Sequence, residues 1–138
     1  MSAEKNKDVI RRSVEEFYNT GDLSAIDRLY SPTYRDHQTG GTLDLEQFKE
    51  WAKGLFTGIP DLKIIVHDLR VDGDMVTKRW VAKGTHKGEF LGVPASGNPI
   101  AVEGITVYRV QDGKLAECWE VMDTFTLMSQ LGAVPAPA

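Results

Sequence analysis

The residues best suited to chemistry in this sequence lie at the end of the stretch 114–123. This stretch follows turn residues at 111–113, so it is predicted to be the outgoing strand of a β-hairpin. Side chains alternate along a strand, and one face would carry Leu115, Glu117, Trp119, Val121 and Asp123. If that face is concave, apolar walls raise the pKa of the Asp123 carboxyl and make it an acid/base group. The alternative is that Asp123 ends the strand and caps a helix predicted over 124–131.

Two histidines and a second carboxylate are further candidates for catalysis. His37 and His86 can each donate or accept a hydrogen bond near neutral pH. The alternative for His86 is an exposed position at a strand end, and the alternative for His37 is a structural hydrogen bond with Asp36 or nearby backbone. Glu103 lies among apolar residues of a predicted strand, where it either faces solvent or points inward as a second acid/base.

Aromatic and apolar side chains around these groups predict a pocket for a small hydrophobic molecule. Trp80 shares a strand face with His86, so it forms either a pocket wall or part of the core. The loop 88–99 is rich in Gly and Pro yet carries apolar residues, so we expect it to fold over the mouth of the pocket. The candidate ligand contacts are Trp119, Trp80, Phe90, Leu91, Tyr34 and Glu103.

The histidines and carboxylates are not spaced as metal ligands. There is no His-x-x-x-His pair or similar helical pattern. Asp36 and His37 are adjacent, so on a strand their side chains point to opposite faces and would not chelate one ion together. We therefore expect no metal.

Composition sets the class of protein. The chain has 138 residues, 41% of them hydrophobic and 26% charged, with a net charge of −4. These values are typical of one globular domain spanning 1–138 and argue against disorder. The acidic and basic residues are interspersed, so no basic stripe suggests nucleic-acid binding. With one cysteine, no long apolar run and a polar start at 1–8, we expect a cytoplasmic protein without disulfides or a membrane segment.

The periodicity of the sequence changes from helical to strand-like near residue 61. Helices are predicted over 2–20, from 22 to before Pro32, and from 44 to about 58, followed by the helix over 124–131. Asp44 and Gln47 have the spacing of a capping box at the start of the third helix. A short extended segment is predicted over 33–37, and long strands over 62–71, 75–86, 100–110 and 114–123. This order predicts an α+β fold, a cone-shaped α+β barrel in which N-terminal helices pack on a strongly curved antiparallel sheet. The open mouth of the cone would hold the ligand, and the tail after 131 is expected to be frayed.

Several stretches in this order resemble one protein family. The resembling segments are 17–23, 34–37, 59–62, 79–80, 84–94, 108–114 and 119–123, within a span of about 8–132. Together they resemble the SnoaL-like polyketide cyclases of the nuclear-transport-factor-like, ketosteroid-isomerase-like superfamily. The resemblance implies a homodimer packed through the outer sheet faces. It also implies intramolecular aldol closure of a polyketide ester without metal or organic cofactor.

The resemblance also implies that Asp123 stands at the position of the general acid/base of these cyclases, which favours catalysis over capping. Aldol closure removes a proton beside a carbonyl and delivers one to the forming alkoxide, and one buried carboxyl can do both. The superfamily also includes isomerases, dehydratases and binding modules. Two hypotheses follow: a cofactor-independent enzyme of the cyclase, isomerase or hydrolase kind, or a non-catalytic module that binds a small molecule in the same cavity.

Overall fold

A computed structural model describes residues 2–38 and 40–134 and has the predicted α+β architecture. The α-helices are α1 (Ala3–Ser13), α2 (Ala25–Leu29), α3 (Leu45–Gly58) and α4 (Thr124–Leu131), and a π-helical turn, Val14–Tyr18, continues α1. The strands are β1 (Tyr30–Gln38), β2 (Gly41–Leu43), β3 (Lys63–Asp72), β4 (Met75–Thr85), β5 (Pro99–Gln111) and β6 (Lys114–Met122). The predicted helices and long strands are therefore present. The predicted tail at 135–138 lies outside the described residues.

The strands form one open, mixed sheet in the order β2-β1-β6-β5-β4-β3. The predicted antiparallel pairing holds for β3, β4, β5 and β6, whereas β1 runs parallel to β6. The short extended segment predicted over 33–37 is part of the nine-residue strand β1. After α3, the three antiparallel connections between β3 and β6 bring β6 back beside β1 with the same orientation. The sheet is curved around the helices but is not closed.

The helices begin where the sequence provides caps. Asp44 and Gln47 form the predicted capping box of α3, in which each side chain accepts a hydrogen bond from the other residue's backbone N–H. The buried side of α3 adds Phe48 to an aromatic cluster under the sheet. There the rings of Phe17 and Tyr30 lie 5.8 and 5.1 Å from that of Phe48. These contacts fix the helical layer against β1.

The C-terminal helix α4 is held to the edge of β5 by one side-chain amide. Gln130 accepts a hydrogen bond from Ala101 N–H at 2.9 Å and donates one to the Ala101 carbonyl at 3.1 Å. These two hydrogen bonds to the Ala101 backbone replace those that a neighbouring strand would make. Because α4 is attached there, the side chain of Leu127 is buried at one end of the sheet interior.

The sheet has apolar residues on both faces. Its concave face packs against the helices, while its outer face exposes Ile105 at 48%, Trp119 at 39% and Val121 at 71%. Ile105 is paired with Val121, and Val107 with Trp119, so these side chains form a contiguous group. No helix of the described part is long and apolar enough to cross a membrane. An exposed apolar sheet face of this kind is typical of a protein-protein contact.

We predict that the outer face is covered by a second copy of the chain. Light scattering at micromolar concentration should give about twice the chain mass of 15.3 kDa. Val121→Glu places a charge in the middle of this face and should give a folded monomer, because an unpaired charge is costly to bury. Leu91→Glu is the matched control, since Leu91 is half exposed on the loop after β4. A monomeric wild-type protein would contradict the prediction.

Candidate functional site

An internal cavity of about 60 Å³ lies between the concave face of the sheet and the helices. Its walls are mainly apolar and aromatic, and its ionisable groups are Tyr18, Lys78 and Glu120. Apolar walls with a few convergent polar groups are typical of small-molecule sites. The lining residues are Tyr18, Trp51, Leu55, Ile59, Leu62, Ile64, Lys78, Trp80, Ala82, Phe90, Ile100, Val102, Glu120, Met122 and Leu127.

The pairing of β4, β5 and β6 brings Lys78, Thr106 and Glu120 into one row. Lys78 is paired with Thr106, and Thr106 with Glu120. Residues paired across neighbouring strands point to the same face, so all three side chains point into the concave side. The row therefore places a basic and an acidic group on the same wall with a hydroxyl between them.

A chain of hydrogen bonds orients the Glu120 carboxyl. Trp80 Nε1 donates to Thr106 Oγ1 at 2.9 Å, and Thr106 Oγ1 donates to Glu120 Oε1 at 3.1 Å. Because indole N–H is only a donor, the one hydroxyl hydrogen of Thr106 is free to point at Oε1. Glu120 Oε2 has no hydrogen-bond partner among the described residues and is not sealed from solvent. This oxygen is the one that can exchange a proton in the cavity.

The indole of Trp80 reaches Thr106 because the next row contains a glycine. Trp80 is paired with Gly104, and a Cβ on Gly104 would lie 2.3 Å from the indole ring. That separation is far shorter than a van der Waals contact, so the ring occupies the space that a side chain would fill. Gly104 is thus required for the indole position that holds Thr106.

Burial gives Glu120 a pKa near neutrality. The pKa of the Glu120 carboxyl is raised to about 7: loss of hydration raises it most, the nearby Asp36 carboxyl adds to the rise, and Lys78 and the Thr106 hydroxyl oppose it. A carboxyl with a pKa near 7 can act both as a base and as an acid at physiological pH. Glu120 therefore has the property that acid/base catalysis requires.

Lys78 is fully buried in the same cavity without an ion-pair partner. Its Nζ lies 5.1 Å from the ring centre of Tyr18, 5.3 Å from that of Tyr108 and 5.9 Å from that of Trp80. Among the described residues, no carboxylate oxygen lies within 4.0 Å of this nitrogen. Burial lowers the pKa of the Lys78 amine to about 8, against the attraction of Glu120.

A second buried carboxyl lies beside Glu120 on the concave face. Asp36 is paired with Cys118, which is two residues before Glu120 on β6. Its Oδ2 accepts a hydrogen bond from the Tyr34 hydroxyl at 3.1 Å, while its Oδ1 is buried without a partner. Burial raises the pKa of the Asp36 carboxyl. Asp36 thus adds negative potential next to Glu120 and makes the Glu120 carboxylate harder to form.

The acid/base hypothesis for Asp123 required the odd-numbered face of β6 to be concave. The structure has the opposite facing: Cys118, Glu120 and Met122 lie on the concave face, whereas Trp119 and Val121 lie on the outer face. Asp123 therefore does not share the concave face, because the pairing with β5 places the even-numbered residues inward. The sequence was misleading here because the outer face is also apolar.

Asp123 occupies the N-cap position of α4. Its Oδ1 accepts a hydrogen bond from Thr126 N–H at 3.1 Å, and its Oδ2 accepts one from the Thr126 hydroxyl at 2.6 Å. These bonds lower the pKa of the exposed Asp123 carboxyl, which is the opposite of the expected shift. The capping interpretation thus describes its geometry.

The two candidate histidines lie outside the cavity. His86 is fully buried, not exposed, and contacts the loop after β4: its Nδ1 lies 2.9 Å from Ser96 Oγ and its Nε2 3.2 Å from the Val93 carbonyl. That carbonyl can only accept, so Nε2 carries the proton and both nitrogens hold the loop. His37 lies on the outer face, with Nε2 2.6 Å from Glu117 Oε2 and its ring stacked on Trp119.

Two of the six predicted ligand contacts line the cavity. They are Trp80 and Phe90. Trp119 points outward, Leu91 is half exposed, Glu103 is exposed, and Tyr34 is buried in the aromatic cluster. The prediction that these four line the interior pocket is wrong. Asp36 and His37 do point to opposite faces, as the strand alternation predicts.

Sequence reasoning missed Glu120, Lys78 and Thr106. A signal was present for Lys78, because it shares the strand face of Val76 and Trp80 and is charged where the pattern is otherwise apolar. No comparable signal distinguished Glu120, since either face of β6 could be the inner one. Among the described residues, no group of three or more His, Cys, Asp or Glu side chains could hold a metal ion.

Comparison with known proteins gives consistent similarities over nearly the whole chain. A family model described as SnoaL-like polyketide cyclase matches residues 8–131. Aklanonic acid methyl ester cyclase DnrD of Streptomyces peucetius is 27% identical over 132 residues, which cover 91% of this chain and 89% of DnrD. The enzyme of the same name, DauD, from Streptomyces sp. strain C5 is also 27% identical, over 91% of this chain and 80% of DauD.

Solved structures show the same similarity. TsrD from Streptomyces laurentii superposes with a TM-score of 0.87 at 28% identity, covering 97% of this chain and 99% of TsrD. IdmH from Streptomyces antibioticus superposes with a TM-score of 0.80 at 33% identity, covering 92% of this chain and 98% of IdmH.

The cap geometry predicts the effect of substitutions at Asp123. Asp123→Ala should lower the melting temperature, since the Thr126 N–H loses its partner, while Asp123→Asn should nearly preserve it. The pKa of the Asp123 carboxyl is lowered in the folded protein. The contribution of the cap to stability is therefore fully present above the ordinary pKa of 3.8, and it is lost as the pH falls through the pKa of the folded state. Thermal melts recorded in steps of about one pH unit, from about pH 2 to about pH 7, measure how the melting temperature depends on pH.

The exposed carboxylate Glu103 provides the control for the Asp123 variants. Glu103 lies in the same shallow outer groove as Asp123, and Glu103→Ala should leave the melting temperature unchanged. Equal melting temperatures for Asp123→Ala and wild type at pH 7 would show that the cap contributes nothing.

Proposed function

Because the chain belongs to the SnoaL-like polyketide cyclase family, we propose that it is a cofactor-independent cyclase. It would close a ring in a small hydrophobic carbonyl ester by intramolecular aldol condensation. The observation that carries the proposal is the Glu120 carboxyl, held by Thr106 in an apolar cavity with one oxygen free. Relatives named as aklanonic acid methyl ester cyclases support a polyketide ester as the substrate class.

In the proposed mechanism Glu120 moves the proton in both steps. Its carboxylate removes a proton from the carbon beside a carbonyl, and the resulting enolate attacks a second carbonyl of the same molecule to form the new carbon-carbon bond. The protonated Glu120 then returns its proton to the new alkoxide, so the carboxylate is regenerated. The Lys78 ammonium stabilises the developing negative charge on the enolate oxygen, where low polarity strengthens the attraction.

The proposal assigns no catalytic role to Asp123, His37 or His86. The carboxylate of Asp123 is exposed at the start of α4 and is held by Thr126. Both histidines have their ring nitrogens engaged outside the cavity lining. Glu120 lies three residues before Asp123 on the opposite face of β6, which makes it the acid/base that the cavity itself supplies.

The size of the cavity indicates how a substrate would be accommodated. A volume of about 60 Å³ has room for only about four water molecules. A polyketide ester therefore requires the walls to move. Phe90, on the loop that His86 anchors, packs against Gly58 at the mouth. We expect this loop to open for substrate entry and to exclude water when it closes. Exclusion of water strengthens the interactions that stabilise the charge developing on the substrate.

The small apolar cavity also favours a second candidate function, a module that binds a small hydrophobic molecule without turnover. The two functions differ in what Glu120 does. A binding module would tolerate an amide at this position, because an amide keeps the shape of the side chain and its bond to Thr106. A cyclase would not, because an amide does not exchange a proton at the required pKa.

Glu120→Gln therefore separates the two candidates. Turnover of aromatic polyketide methyl esters, among them aklanonic acid methyl ester, should fall roughly 100- to 10,000-fold, while binding measured by calorimetry should change little. Asp123→Asn is the matched control and should retain turnover. If turnover in Glu120→Gln stays within about two-fold of wild type, a change far smaller than the expected loss, the mechanism is refuted.

Stability gives an independent check of the same variant. Burial raises the folded pKa of Glu120 from 4.5 to about 7, so the folded protein binds more protons than the unfolded chain in that window. Its stability should thus fall as the pH rises from 4.5 to about 7. Glu120→Gln should remove this dependence and be at least as stable as wild type at neutral pH.

The pair also predicts the pH dependence of turnover. Activity should rise as Glu120 becomes a carboxylate through about pH 7, and fall as Lys78 loses its proton through about pH 8. Lys78→Arg should remove the falling limb, because arginine keeps its proton over this range. A turnover profile that is flat between about pH 5 and about pH 9 would contradict the assignment.

A further inference from the structure

The amine of Lys78 is a nucleophile placed inside the cavity. It is not engaged by a carboxylate, its side chain is buried and lines the cavity, and its nitrogen lies among aromatic rings. A lysine that is desolvated in an apolar pocket is the type that attacks carbonyl compounds. The proposed aldol chemistry uses Lys78 only as an ammonium ion, so the neutral amine has no role there.

We propose that Lys78 forms an imine with a small ketone held in the cavity, with Glu120 as the proton carrier. This activity goes beyond the proposed cyclase function and occurs in the same cavity. It requires only that a carbonyl carbon reach Lys78 Nζ while the carbonyl oxygen reaches Glu120 Oε2.

The row across the sheet provides this arrangement. Two strand spacings, roughly 9–10 Å, separate the backbones of Lys78 and Glu120, with Thr106 between them. Both long side chains line the cavity, so a carbonyl group bound over Thr106 would have one on each side. The Thr106 bond engages Oε1 and leaves Oε2 available to that carbonyl.

The reaction is balanced without any further reagent. The amine lone pair of Lys78 attacks the carbonyl carbon, a C–N bond forms, and the carbonyl oxygen takes the proton of Glu120. The Glu120 carboxylate then removes a proton from the new ammonium nitrogen and delivers it to the hydroxyl group. The C–O bond breaks, water leaves, and loss of the remaining nitrogen proton to Glu120 yields the imine, so one ketone and one amine give one imine and one water.

The electrostatic surroundings support a neutral amine. The titratable groups around Lys78 are Tyr18 and Tyr108, whose rings it contacts, and Glu120, Cys118 and Asp36, which act at longer range. The acidic groups favour the ammonium form, but burial outweighs them and lowers the pKa of Lys78 to about 8. About one molecule in ten then carries the free amine at pH 7, compared with fewer than one in a thousand for an ordinary lysine.

Reductive trapping with acetone tests the proposal. Acetone and sodium cyanoborohydride, which supplies hydride to the C=N bond, convert an imine into a stable isopropyl amine that peptide mass mapping locates. At pH 7 Lys78 should be modified at least about ten-fold faster than Lys83, since more of its amine is neutral. Lys83 is the matched control because it lies on the same strand but is exposed on the opposite face.

Variants separate the chemistry from the surroundings. Lys78→Arg should abolish the label at this position and leave labelling of Lys83 unchanged, with circular dichroism confirming the fold. Glu120→Gln should slow labelling of Lys78 relative to Lys83. Modification of Lys83 with Lys78 unmodified would overturn the proposal, and equal rates at Lys78 in wild type and Glu120→Gln would overturn the part assigned to Glu120.

The outcome is independent of the proposed cyclase function. Loss of polyketide turnover in Glu120→Gln together with an unlabelled Lys78 would refute imine formation and leave the cyclase proposal intact. Labelling of Lys78 together with unchanged turnover in Glu120→Gln would refute the cyclase mechanism and leave imine formation intact.

Discussion

The enclosure of a carboxyl and an amine in one apolar cavity is the constraint on which the rest of the structure depends. Glu120 and Lys78 are each deprived of water, and the distance between them is too long for a direct ion pair. Burial of an unpaired charge is costly, and each group adjusts its pKa toward neutrality. The same burial that lowers the stability of the fold brings both pKa values near neutral pH, where the two groups can exchange protons.

The architecture positions these groups with few polar contacts. The sheet supplies the row of three side chains, the Trp80 indole fixes Thr106, and Thr106 fixes one oxygen of Glu120. The helices and the loop after β4 contribute apolar surface and exclude water. Asp123 and His86, by contrast, are bonded to their own helix or loop and lie apart from the cavity.

The sequence predicted the elements well, but it predicted the site poorly. Helix caps and hairpin turns are local signals, which is why the capping box of α3 and the helix 124–131 were correct. The facing of a strand is not local when both of its faces are apolar. On β6 the alternation was correct, but it did not show which face is the inner one, so Asp123 was favoured and Glu120 was not considered. The parallel β1–β6 pair was missed for a similar reason, because it joins segments separated by most of the chain.

Gly104 has a consequence for how this pocket tolerates mutation. It contributes no atoms to any hydrogen bond of the Trp80–Thr106–Glu120 chain, yet any Cβ there would overlap the indole ring. Replacement by even the smallest side chain would push Trp80 away from Thr106 and leave Glu120 without its orienting donor. In a mutational scan this position would be intolerant for reasons of geometry alone. One of the most restrictive determinants of the chemistry is thus a residue that has no side chain.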